Sequence, residues 1–173
     1  MSHKVSVLFV CLGNICRSPT AEGVFTRLLE EQGLQGQIRI DSAGTGDWHL
    51  GKSPDPRALA FAQKRGYDIS HLRARQIDVS DFEHFDYILA MDYQNLMDIR
   101  AMQPEDYRGH LSLFLDFLDE GEGLEVPDPY YGGEQGFELV VDMVERASKN
   151  LLKSIQSSHS DAFNSSHSGS SSR

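Results

Sequence analysis

The chain has 173 residues and a mass of 19.4 kDa, with 39% hydrophobic and 9% aromatic residues, so it can bury one substantial core and is not disordered by composition. Its net charge of −10 argues against a broad nucleic-acid surface, so an anion would have to be bound at a locally built site. No run reaches the ~18 apolar residues of a membrane span, and the N-terminal Met-Ser-His-Lys shows no secretory signal pattern.

Taken in chain order, Val5 to Val10 is nearly continuous in apolar and β-branched residues, as a strand buried on both faces of a parallel sheet reads. A loop from Cys11 to Arg17 follows, and Ser18-Pro19 predicts a helix N-cap and a pre-set first helical position. Apolar residues then recur at Ala21, Val24, Phe25, Leu28 and Leu29 on one helical face, with Gly33 as the stop. A second strand is predicted from Ile38 to Ala43, and a second helix from Asp55 to Lys64 closed by Gly66. Strand three is Tyr87 to Met91, followed by a helix near Tyr93 to Ala101, and strand four is Leu111 to Leu115. The last helix is expected from about Gln135 to Ser154, with Phe137, Val140, Val141, Val144, Leu151 and Leu152 on one face. Alternating strands and helices imply an α/β sandwich, a parallel sheet with helices on both faces. From Ser157 to Arg173, nine of seventeen residues are serine. Such a segment buries too little to offset its ordering entropy, so residues 1–156 are expected to form the domain and 157–173 a disordered tail.

The chemistry concentrates in Cys11-Leu12-Gly13-Asn14-Ile15-Cys16-Arg17-Ser18, between a buried strand and a helix. Ligands of open α/β sheets bind where strand carboxyl ends meet helix amino ends. A tight loop there turns successive amides inward as a nest, with the helix N-terminus behind it, and phosphate is its natural guest. It is not the nucleotide-binding loop ending in Gly-Lys-Ser/Thr; it begins with a thiol and ends with a guanidinium. Amides, helix dipole and Arg17 together favour a thiolate at Cys11, and Arg17 can clamp two phosphate oxygens in parallel. A lone cysteine ending a strand is ordinarily core; the complete Cys-x5-Arg-Ser loop makes the nucleophile the stronger reading. Cys16 reads equally as a packed small residue or as a redox partner for Cys11.

A phosphate ester leaving its alcohol needs a proton donor opposite the nucleophile. Asp128, held between prolines in Val126-Pro127-Asp128-Pro129-Tyr130-Tyr131-Gly132, is the candidate, although Asp-Pro alone is commonly just a turn. No His, Cys and carboxylate cluster has metal-ligand spacing, so neither metal nor cofactor is expected. Both cysteines, Cys11 and Cys16, lie in one loop, the usage of a reducing cytoplasm rather than of a stapled secreted domain.

These residues closely resemble the low-molecular-weight protein tyrosine phosphatases. The resemblance rests on Val10 to Pro19 and Asp128 to Gly132, with Asp41-Ser42-Ala43-Gly44, Ser53 to Arg57 and Ala74-Arg75-Gln76 in order between them. It covers about residues 4 to 155. It implies a three-layer, flavodoxin-like fold with a four-stranded parallel sheet and Cys11 at the topological switch point. It implies Cys11 as nucleophile, Arg17 as clamp, Asp128 as acid and then base, and Ser18 as hydrogen-bonding the thiolate or helping its departure. Leu12 to Ser18 would bind phosphate, and Asn14, Ser42 and His71 would brace that loop. Trp48, Tyr130 and Tyr131 would wall a slot deep enough for a flat phenyl ester. The implied substrates are phosphotyrosine proteins and small aryl phosphates, for a cytoplasmic monomer or weak dimer without nucleic-acid or membrane partners. A thiol-relay arsenate reductase would need cysteines beyond Cys11 and Cys16; a phosphoarginine phosphatase loop would carry Thr where Ile15 stands; an adaptor would lack the thiol or the acid.

Overall fold

The computed structural model describes residues 4–118, 124–129 and 133–159. In chain order the elements are β1 (Val5–Cys11), α1 (Arg17–Glu31), β2 (Ile38–Gly44), α2 (Pro56–Lys64), α3 (Asp81–His84), β3 (Tyr87–Ala90), α4 (Tyr93–Met102), β4 (His110–Leu113) and α5 (Gly133–Ser158). A 3-10 turn, Phe114–Phe117, follows β4 directly. The four strands are parallel in the order β2-β1-β3-β4, the flavodoxin-like arrangement the resemblance implied.

β1 lies inside the sheet, so its residues alternate between two cores. Val5, Val7, Phe9 and Cys11 face α1 and α5 through Phe25, Val140, Val144 and Leu151. Leu8 and Val10 face the other layer, with Phe82, Phe85, Leu96 and Ile99. Phe9 sits edge-on to Phe25 at 5.9 Å and to Phe114 at 5.1 Å between ring centres. Burying one such ring contributes about 2–3 kcal/mol, and truncating it to alanine costs about 4 kcal/mol once the cavity is counted.

The elements depart from the sequence reading at their ends, for local reasons. α1 begins at Arg17 with Cys16 as its cap residue, two residues earlier than Ser18 suggests, and the Ser18 hydroxyl lies against the Cys11 sulfur instead of capping the helix. α2 is capped as its residues indicate: the Asp55 carboxylate accepts from the Arg57 and Ala58 amides, and Pro56 occupies the first helical position. β4 starts at His110 and gives way after Leu113 to the 3-10 turn, which carries Phe114 under Phe9. α3 has four residues, too few to carry a periodic signal. α5 continues four residues past Ser154 because Ile155 extends its buried stripe, and the Tyr87 hydroxyl meets His159 at 3.2 Å just beyond its end. Of the expected tail, residues 157–173, Ser157 and Ser158 belong to α5 and His159 follows it, while residues 160–173 lie outside the described residues.

Candidate active site

The register that pairs Val10 with Ala43 and Ala90 brings the ends of β2 and β3 to either side of Cys11. The loop from Cys11 to Arg17 turns back through Asn14, the one described non-glycine residue with a left-handed backbone, φ +59°. Asparagine tolerates that region better than most side chains. The loop's carbonyls are drawn outward: Cys11 O accepts from the Thr45 amide at 2.9 Å, Leu12 O from Gly46 at 2.9 Å and Ile15 O from Asp55 at 2.8 Å. With carbonyl dipoles facing away, the loop amides line the inside, which is the anion nest expected at a helix N-terminus.

Asn14 holds this shape from within. Its amide nitrogen donates to Ser18 Oγ at 2.8 Å and to Ser42 Oγ at 3.0 Å, and its Oδ1 accepts from the Arg75 backbone at 2.9 Å. Ser42 passes its own proton to Glu22 Oε1 at 2.7 Å. Since Ser18 Oγ accepts from Asn14, its remaining proton can turn to the Cys11 sulfur, 3.0 Å away. The Asn14 backbone N–H reaches the same sulfur at 3.2 Å. The Cys11 sulfur is therefore met by one backbone N–H and by a hydroxyl that can donate to it.

Arg17 is 5% exposed, yet its charge is well compensated. Nη1 donates to Asp92 Oδ2 at 2.7 Å and to Val126 O at 3.1 Å. Burial works against the charge, but Cys11, Asp92 and Asp128 outweigh it and raise the arginine above its ordinary value. Cys16 differs sharply. It packs with Ala58 and Phe137, and burial, reinforced by Asp55, Cys11 and Asp128, pushes its thiol up to about 12. It is a neutral core group near neutral pH. Both cysteines are free thiols.

A cleft of about 210 Å³ opens over the loop and brings Cys11, Leu12, Gly13, Ile15, Cys16 and Arg17 together with Trp48, His49 and Asp128. Trp48 stands 67% exposed at the cleft, and Asp128 is also exposed there. Tyr130 and Tyr131 lie outside the described residues. Asn14, Ser18 and Ser42 sit behind the loop. His71 lines a separate, larger cleft of about 370 Å³ with Glu22 and Tyr67. That cleft is roomier but neither cysteine lines it, so the smaller one, with Cys11 and Arg17, is the candidate site. Among the described residues no cluster of three or more His, Cys, Asp or Glu could hold a metal, and no helix is long and apolar enough to cross a membrane.

Two participants escaped the sequence reading. Asp92 follows the apolar run of β3 just as Leu12 follows that of β1, so adjacency of those strands was the signal that could have placed it at the site. Glu22 looks like any helical carboxylate, and only its bond to Ser42 ties it to the loop.

A family model described as "Low molecular weight phosphotyrosine protein phosphatase" matches residues 6–161. A protein of that name from Schizosaccharomyces pombe is 48% identical over 157 residues, spanning 90% of this chain and 99% of the relative. A crystal structure of a protein tyrosine phosphatase from Entamoeba histolytica, with Hepes in its active site, is 41% identical at a TM-score of 0.84, covering 89% of this chain and 98% of that one. The crystal structure of a Drosophila arginine phosphatase is 30% identical at a TM-score of 0.81, covering 87% and 97%.

Proposed function

Because the chain belongs to the low molecular weight phosphotyrosine protein phosphatase family, we propose that it hydrolyses phosphotyrosine and aryl phosphates through a cysteinyl-phosphate on Cys11. The observation that carries the reading is one cleft holding the Cys11 sulfur, the Arg17 guanidinium and the Asp128 carboxyl together.

In the first step the Cys11 thiolate attacks phosphorus in line. The phosphorus–oxygen bond to the phenol breaks, its electron pair goes to oxygen, and Asp128 supplies the proton. In the second, the Asp128 carboxylate takes a proton from water as its oxygen attacks phosphorus. The sulfur–phosphorus bond breaks, its electrons return to Cys11, and inorganic phosphate leaves. A guanidinium has five N–H donors. Arg17 commits Nη1 to Asp92 and Val126, so its Nη2 and Nε edge serves two phosphate oxygens while Asp92 fixes the plane. The loop amides hold the equatorial oxygens through both steps. Ser18, donating to the sulfur, eases its departure as an anion in the second step.

The test is hydrolysis of para-nitrophenyl phosphate by wild type, Cys11→Ser and Asp128→Ala. Turnover by wild type with loss of at least about a thousand-fold in Cys11→Ser supports the covalent route; undiminished turnover by Cys11→Ser overturns it. The likeness to an arginine phosphatase raises a second reading, hydrolysis of phosphoarginine. Parallel assays on phosphotyrosine and phosphoarginine peptides separate the two. Preference for the phosphotyrosine peptide is expected, since Ile15 and Trp48 line the cleft with apolar surface suited to a phenyl ring.

A further inference from the structure

We infer that Glu125 is a positioning residue for the general acid, clasping the acid-bearing segment to the N-terminus of α4; the inference rests on the phosphatase reading above.

The first amides of a helix lack partners within the helix and carry its positive dipole end. At α4 the Asp92 side chain caps one of them, with Oδ1 accepting from the Asn95 amide at 2.8 Å, while Oδ2 is committed to Arg17. A second amide, Tyr93 N–H, is met by Glu125 Oε2 at 2.7 Å, a carboxylate arriving from 32 residues away. The next residue extends the same attachment. Val126 N–H donates to Met91 O at 2.8 Å, and Val126 O accepts from Arg17 Nη1 at 3.1 Å. Residues 125 and 126 are thus tied to the end of β3, to the start of α4 and to the phosphate clamp. Asp128 follows two residues later, beyond Pro127, whose ring fixes one backbone dihedral of the short connection. Asp128 itself is exposed on the cleft, and the hold on the segment before it is one of the contributions to its height over Cys11.

Of the three ties, the bond from Glu125 is the one made by a side chain of the segment, so it can be removed by truncating that side chain with the backbone left unchanged. It is also charge-assisted, a carboxylate on a helix N-terminal amide. Losing it leaves the Arg17–Asp92 pair intact and loosens the segment that carries Asp128, so the carboxyl is held less closely to the leaving oxygen. Proton donation then suffers while phosphate binding does not.

The experiment compares kcat/KM of wild type, Glu125→Ala and Glu125→Gln on phenyl phosphate and on para-nitrophenyl phosphate. Phenol, with a pKa of roughly 10, needs the proton as it leaves; the nitro-substituted phenol is more acidic and needs it less. Glu125→Ala is expected to lower kcat/KM on phenyl phosphate about five-fold and on para-nitrophenyl phosphate by less than about two-fold. Glu125→Gln, whose amide oxygen still accepts from Tyr93 N–H, is expected to recover most of the loss. A partly unfolded variant would lower both substrates together and leave their ratio unchanged, so an unchanged ratio overturns the inference. So does a Glu125→Ala protein as fast as wild type on phenyl phosphate. Wild-type protein inert to both esters overturns the phosphatase reading, and this inference with it.

Discussion

Asn14→Ala tests how the phosphate loop is held. The side chain makes three hydrogen bonds of 2.8 to 3.0 Å, to Ser18, Ser42 and the Arg75 amide, and the residue is 3% exposed. Each bond contributes about 1 kcal/mol, and the part-buried Arg75 N–H is left unpaired at further cost. Alanine must also adopt φ +59°, which costs an ordinary residue about 1–2 kcal/mol. Because the bonds share one side chain they are not independent, and the expected loss is about 3–5 kcal/mol, a large share of a domain's total stability. Urea unfolding followed by far-ultraviolet circular dichroism measures it, since the single tryptophan, Trp48, is exposed and reports folding poorly. Asn14→Gly loses the same bonds but not the freedom to take positive φ, and is expected to be about 1 kcal/mol more stable than Asn14→Ala. Both variants should bind inorganic phosphate at least about ten-fold more weakly, because the nest opens. An alanine variant within about 0.5 kcal/mol of wild type, or one as stable as the glycine variant, would refute the bracing role and the strain at this position.

Glu22 sets a pH dependence. Burial, opposed by the Ser42 hydrogen bond and helped by Asp41, lifts its carboxyl from 4.5 to about 7. The folded protein therefore keeps a proton that the unfolded chain releases across that window, so stability falls as pH rises through it and the penalty is complete above about 7. Glu22→Gln, permanently neutral, should match wild type near pH 5 and exceed it by about 2 kcal/mol near pH 8 in urea unfolding, allowing for solvent screening; an equal offset at both pH values would contradict this. Gly44→Ala places a Cβ 2.7 Å from Leu12 O, 3.1 Å from Gly13 C and 3.2 Å from Asn14 N, all backbone of the phosphate loop. The loop must shift, and kcat/KM should drop more than about ten-fold for a stability loss of only about 1–2 kcal/mol; wild-type kinetics would show the loop yields freely. With its thiol held up to about 12, Cys16 should resist iodoacetamide at about pH 8 although it too lines the cleft, while Cys11, the proposed nucleophile, is labelled. Mass mapping before and after denaturation reads the difference, and equal labelling of the two in the folded protein would refute it.

Much of the site was legible because it is local. Cys11 to Ser18 are consecutive, and the residue types that shape the loop are those proposed to supply its chemistry. Asp128 was legible through its proline neighbours, although only the fold sets it on the same cleft as Cys11. The sheet was legible too, since β1 is apolar without alternation and hence covered on both faces. Less legible were short or mixed stretches: α3, and the handover from β4 to the 3-10 turn, where Leu111 to Leu115 reads as strand throughout but packing Phe114 bends the chain.

Residue order alone therefore determined the kinds of element, the parallel sheet and the thiol-to-guanidinium loop, because each follows from preferences of neighbouring residues along the backbone. Tertiary structure decided the partners: Asp92 on Arg17 across 75 positions, Glu22 on Ser42 across 20, and Glu125 on the Tyr93 amide across 32. A carboxylate on an exposed-looking helix or loop has no local signature of its mate. Its role is set by which strand ends the sheet order brings side by side, and that is known only once the chain has closed.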